Sequence, residues 1–202
     1  MHQHLSKSMN LFAINLLLFS HERHSMGFGP RVLLGIGALL LLAASTTAAP
    51  PKDPCAIPKT LQSELANSYP GKTIVHLSDL SEYDKKHFRK DHGDRCPGLV
   101  GVDFYGDKNP TFALVLISGQ NPQIDAKLVV AHQIGSRWDL RLVESTDGAP
   151  VVWRDRPGKY DDIYGEKSLR ATHQVVVLCW YESSAIVYSW TGKEIEKVWL
   201  SD

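Results

Sequence analysis

The stretch "AKLVVAHQIGSRWDLRLVE", residues 126–144, decides the fold. Apolar residues run up to Gly135-Ser136 and resume after it, and a two-residue turn with glycine first joins antiparallel strands. Registering the pair on that turn sets Ala131 opposite Leu140 and Val129 opposite Leu142 on one face. His132 and Asp139 then meet on the other face, so one side of this hairpin is expected to be at least partly polar. A second pair, "SAIVYSWTGKEIEKVWL" at residues 184–200, turns at Gly192-Lys193 and sets Trp190 opposite Ile195, Val187 opposite Val198 and Ile186 opposite Trp199. Apolar residues lie on both of its faces, which predicts a central or doubly covered position in the sheet.

Working outward, strand-like runs recur from residue 98 to the end: "GLVGVDF", "TFALVLIS", "PVVW" and "HQVVVLCW" join the two hairpins. Runs of Val, Ile, Leu and Trp separated by turn residues describe a mostly antiparallel, twisted sheet of hairpins. The five tryptophans are read as core aromatics in strand register, with a ligand-binding aromatic patch as the alternative.

Two short helices precede this sheet and are expected to pack on it, which makes the class α+β. In "PKTLQSELANSYPG" Pro58 suits a first helical position, Leu61 and Leu65 share a face, and Pro70-Gly71 ends the segment. In "SEYDKKHFRKDHG" Ser81 and Asp84 form a capping box and Gly93 supplies the stop. Tyr83, His87 and Phe88 of that segment are expected to face the sheet.

The three cysteines differ in setting. Cys55 and Cys96 lie in polar, Pro-flanked surroundings, whereas Cys179 ends the apolar run "VVVLC". Cys55 is therefore paired with Cys96, and Cys179 is left buried and free. A rival reading makes Cys96 a zinc ligand with His87 and His92, but the spacing fits no standard pattern and lacks a fourth ligand.

The N-terminal 49 residues are read apart from the fold. Arg31, the apolar run "VLLGIGALLLL" and the tail "AASTTAAP" have the layout of a secretory signal peptide over residues 26–49, cut near Ala48 or Ala49. The alternative is a retained anchor, since Val32–Ala49 is 18 residues and a spanning helix needs about 20. Residues 1–25 read as an over-extended start ahead of Met26, and residues 50–202 as a single domain. Once residues 1–49 are removed, 19 basic and 21 acidic residues remain. Nucleic acid is excluded as a partner, because it would require a clustered excess of Lys and Arg. With the signal cleaved, no membrane span is expected, and the protein is placed in the periplasm or outside the cell.

Two segments carry candidate sites. "DFYGDKNPTFALV", residues 103–115, resembles the calcium loop of FG-GAP or VCBS repeats, in which oxygen ligands alternate along a tight turn before a strand. The resemblance implies Asp103 and Asp107 as ligands, with Asn109 at the next alternate position. Tyr105 and Thr111 replace the second and last acidic ligands, and Lys108 stands where the turn glycine belongs. A turn that keeps the motif's shape is therefore expected, with no cofactor, and calcium is the alternative. The second segment is the polar stretch 154–170, read as a structured surface loop and candidate binding loop through Arg154, Arg156, Tyr160, Asp161, Asp162 and Tyr164.

The segments "HGDRCPGLVGVDFYGD", "VVWRDRPGKYDDIYGEKSLR" and "SSAIVYSWTGKEIEKVWLSD" resemble a group of small exported bacterial proteins. That resemblance implies an envelope setting and no mechanism. No nucleophile elbow, HExxH helix, phosphate-binding glycine loop or CxxC pair is present. The leading expectation is an exported, non-catalytic binding or structural domain whose partner is another protein or an envelope component. The alternative is an envelope hydrolase assembled from distant residues, for example Glu182, Ser183 or Ser184 with His132 or His173.

Overall fold

The structure, a computed structural model, describes residues 53–119 and 125–201. The extension and signal-peptide assignments, over residues 1–49, lie outside the described residues. Helix α1 (Lys59–Ser68) begins one residue later than expected, with Pro58 at its N-cap. Helix α2 (Glu82–His92) follows its predicted caps: the Ser81 hydroxyl accepts the Asp84 N–H at 3.0 Å, and Gly93 ends the helix at φ 69°. That backbone region favours glycine, which meets no Cβ clash there.

The first sheet contains β1 (Lys72–Ile74), β2 (Leu99–Gly101), β3 (Thr111–Ser118), β4 (Ala126–Ile134) and β5 (Arg137–Thr146). Its order is β1-β3-β4-β5, with β2 also paired to β3. Next come β6 (Val151–Asp155), β7 (Gly158–Asp161), β8 (Ser168–Ala171), β9 (Val175–Cys179), β10 (Ala185–Trp190) and β11 (Ile195–Ser201). The second sheet runs β11-β10-β9-β6, and β7 and β8 form a separate two-stranded hairpin. All these pairings are antiparallel, so the chain is α+β with two helices ahead of sheets of hairpins. The single expected sheet is divided into sheets of five, four and two strands.

Both hairpin registers match the sequence reading: Ala131 faces Leu140, Val129 faces Leu142 and His132 faces Asp139. Trp190 faces Ile195, Val187 faces Val198 and Ile186 faces Trp199. The face that carries His132 and Asp139 is partly polar, with Asp139 and Arg141 exposed on β5, but its β4 half faces the core. His132 is only 8% exposed and lies on the side of Leu128 and Val130, in the core shared with Leu178, Ile186 and Tyr188 of the second sheet. The Val129 and Ala131 side is covered instead by α1, through Leu61 and Leu65. Trp138 anchors that contact by donating its indole N–H to the Thr60 hydroxyl at 3.0 Å.

Strands β3 and β4 are thus buried on both faces, one covered by a helix and one by another sheet. Emptying the Leu61 site by substitution with alanine is expected to cost about 3–5 kcal/mol. Helix α2 covers the opposite side of the second sheet: Phe88 is buried, and the His92 ring sits 4.9 Å from that of Trp153. Tyr83 is more exposed than expected, whereas His87 is half-buried between Tyr83 and Tyr181.

Cys55 and Cys96 are joined across a sequence separation of 41. The bond removes Cys96 from any zinc set with His87 and His92. Disulfides of this kind persist in oxidising compartments. Cys179 is buried and free, and burial, helped by Asp84 and Asp91, pushes its thiol up to about 11. Among the described residues, no helix is long and apolar enough to cross a membrane.

The polar stretch 154–170 is corrected from a loop to the β7–β8 hairpin. Tyr160 pairs with Leu169 and Gly158 with Ala171, while Lys159, Asp161, Ser168 and Arg170 occupy the alternate, exposed positions. The charges on one face conceal a period-two pattern whose other face is small or apolar. This hairpin covers the open edge of β11: Ile163 donates its N–H to the Trp199 carbonyl at 2.8 Å, and the Trp199 N–H donates to the Asp162 carboxylate at 3.2 Å. Covering an edge in this way removes a template for pairing with other chains.

Candidate binding site

The loop 103–110 is held by its own side chains. Asp107 accepts the Asn109 N–H at 3.0 Å and the Asn109 side-chain amide at 2.8 Å, and its second oxygen lies 3.1 Å from His132 Nε2. Burial raises the Asp107 carboxyl, but the Asn109 bonds and the His132 charge outweigh it and hold the group below its ordinary range. The other ring nitrogen of His132 lies 2.8 Å from the Thr111 hydroxyl. Tyr105, at the motif's second ligand position, turns inward: its ring is 4.5 Å from His132 and 5.2 Å from Trp190. Asp103 donates its N–H to the Gln174 side-chain oxygen at 2.8 Å, and among the described residues its carboxylate accepts one bond, from the Lys108 N–H at 3.4 Å.

Two backbone features shape this loop. Gly106 has φ 74° and is packed against the His173 ring, which would collide with any Cβ at that position. Lys108 has φ 63°, a left-handed conformation at the position where the calcium motif carries glycine. For a residue with a side chain this costs about 1–2 kcal/mol. The motif's turn survives, while the oxygens of Asp107 are directed to Asn109 and His132. A calcium ion would need Asp103, Asp107 and Asn109 to turn towards one point and His132 to give up its contact.

The six candidate residues of the polar stretch go to different places, and Arg156 stays exposed in the turn before β7, its N–H donating to the Asp155 carboxylate at 2.7 Å. Arg154, on β6, points to the seam with β2 and donates to the Gly101 carbonyl at 3.0 Å. Tyr160 donates its hydroxyl to the Arg156 carbonyl at 2.6 Å, and burial together with Asp155 pushes its pKa up to about 12. Asp161 pairs with Lys159 at 2.6 Å. One oxygen of Asp162 accepts the Tyr164 N–H at 2.9 Å and the other accepts the Trp199 N–H. Tyr160, Asp161 and Asp162 therefore serve to build the hairpin.

Beside its exposed charges the hairpin also presents two large side chains with apolar bodies. Ile163 is 47% exposed and Tyr164 59%, and the bond from Ile163 to the Trp199 carbonyl brings the hairpin backbone to β11 one residue before Leu200, which is 38% exposed. Sequence reading included Tyr164 but missed Ile163 and Leu200. The only signal in the sequence was the apolar pair Ile163-Tyr164 inside a charged run.

Trp199 also lines an open cleft of 720 Å³, together with Asp125, Ser145, Asp147, Trp180 and Ser183. Trp180 is fixed there by its indole N–H, which donates to the Asp147 carbonyl at 3.1 Å. Trp180 and Trp199 thus pack against the core, as expected, and also border a surface hollow.

Ser183 lies in this cleft, His132 is engaged with Asp107 and Thr111, and His173 lies against Gly106. The serine and histidines suggested for a dispersed hydrolytic site occupy separate places. Asp53, Cys55 and His76 converge within 4.8 Å of one another, but the Cys55 sulfur is in the disulfide and cannot ligate a metal as thiolate. No protein family, curated protein or solved structure matches the chain.

Proposed function

We propose that the protein is an exported, non-catalytic binding domain that grips another protein of its compartment through the β7–β8 hairpin. The supporting observation is the apolar corner formed by Ile163, Tyr164 and Leu200. Exposed apolar groups gathered at one place mark interaction surfaces more often than scattered ones do. The corner is also pre-organised, because Asp162 and Ile163 bind the hairpin to β11 before any partner arrives. A surface ordered in advance loses less conformational freedom on binding. The adjoining cleft with Trp180 and Trp199 extends the same surface with aromatic and hydroxyl groups.

Export is supported by the disulfide, by the signal-peptide layout of residues 26–49 and by the resemblance to small exported bacterial proteins. The test is site-specific photo-crosslinking in cells that express the full chain, with the reactive group placed at Tyr164 in one strain and at the exposed Lys86 on α2 in another. A discrete adduct from position 164 alone supports the reading. The same adducts from both positions, or none from 164, overturn it.

A further inference from the structure

The two sheets meet along a seam that neither the hairpin corner nor the 103–111 loop includes. There β2 and β6 lie side by side. Val152 donates its N–H to the Pro97 carbonyl at 2.8 Å, and Arg154 donates to the Gly101 carbonyl. Together with the C-terminal end of α2 and the Cys96 turn, these strands enclose a cleft of 490 Å³. Val100, Val152 and Trp153 give it apolar walls, and the His92 ring against Trp153 makes part of one wall flat.

The charges in this cleft are not balanced. Arg95, Arg154 and Asp94 are its ionised groups, and Asp94 is drawn towards Arg89 at 3.5 Å. Among the described residues, no carboxylate lies within 4.0 Å of the guanidinium of Arg95 or of Arg154. Burial, with Arg95 nearby, lowers the His92 pKa from its ordinary 6.5 and so favours the neutral ring. The cleft therefore offers two exposed guanidinium groups with no carboxylate partner among the described residues, beside apolar and aromatic walls. Guanidinium forks match the oxygens of carboxylate and phosphate, and they do so best where water is partly excluded. A lining that combines apolar walls with a few directed polar groups is the usual form of a small-molecule site.

We propose that this seam cleft binds a small organic anion, whose carboxylate or phosphate group is held by Arg95 and Arg154 and whose apolar body lies against Trp153 and Val100. The site is separate from the hairpin corner, so either can fail without the other.

The test uses the purified, oxidised full chain, titrated by calorimetry and by tryptophan fluorescence with three probes: benzoate, the neutral benzyl alcohol and inorganic phosphate. Benzoate is expected to bind saturably, and benzyl alcohol and phosphate each at least tenfold more weakly. R95Q and R154Q should each weaken benzoate about tenfold, while R137Q, an exposed change on β5, leaves it unaltered. Arg95 is exposed, so R95Q reports on the site even if R154Q lowers the melting point. Benzyl alcohol binding as tightly as benzoate would remove the charge requirement, and phosphate binding as tightly would remove the apolar wall. Either result overturns the proposal, as does the absence of saturable benzoate binding or its persistence in R95Q/R154Q.

Discussion

Replacing both cysteines of the Cys55–Cys96 bond by alanine tests how the N-terminal helices are held. The bond closes a loop with a sequence separation of 41 that contains α1, β1 and α2. Releasing such a loop restores about 13 cal/mol/K of chain entropy to the unfolded state, or about 4 kcal/mol at 25 °C. That is a large share of the 5–15 kcal/mol available to an ordinary domain. Both half-cystines are buried, and alanine leaves no thiol without a partner in the space they vacate. The double variant also avoids leaving one reactive thiol to exchange with Cys179.

The assay is reversible urea unfolding of oxidised wild type and of C55A/C96A, followed by circular dichroism. A loss of about 4 kcal/mol is expected. In thermal melts it corresponds to about 8–16 °C, taking 2–4 °C per kcal/mol for a domain of this size. The denaturant slope should rise slightly, because an uncrosslinked unfolded chain exposes more surface. A loss under about 1 kcal/mol would refute the entropic account. A variant that loses helical signal before urea is added would show instead that the bond acts on the folded state, by holding α1 against the sheet.

Three further outcomes follow from the 103–111 loop. Substituting Lys108→Gly removes a left-handed lysine and is expected to raise stability by about 1 kcal/mol, less the entropy glycine adds to the unfolded chain; a lowered urea midpoint would contradict this. The Asp107 carboxyl lies below its ordinary value of 3.8 when folded, so its contribution is present above that value and is lost as pH falls through the lower folded value. The wild type should therefore lose stability below about pH 4 more steeply than D107N in acid-unfolding curves, and parallel curves would refute the assignment. Melts with calcium and with chelator are expected to coincide; a rise of several degrees with calcium would make Asp103, Asp107 and Asn109 cation ligands.

Much of the fold was legible because its determinants are local. The Ser81 and Gly93 caps, the two glycine turns and the registers they impose each depend on residues a few positions apart. The candidate sites were less legible. Arg154 and Tyr164 were both singled out in one polar stretch, yet the fold sends Arg154 to the seam and Tyr164 to the outer corner. Strand β8 escaped notice because Ser168 and Arg170 mask the buried Leu169 and Ala171 between them.

The sequence by itself determined the α+β class, the hairpin pairings, the Cys55–Cys96 bond and the buried, unpaired Cys179. Strand period, turn chemistry and cysteine setting are carried by the residues themselves. Only the tertiary structure decided which face of the Ala126–Thr146 hairpin meets α1 and which meets the second sheet, because a two-residue period separates two faces without saying what covers either. It likewise decided that Arg95 and Arg154, 59 positions apart in the chain, share one cleft. Proximity of that kind arises from packing between sheets and helices, and no local pattern encodes it.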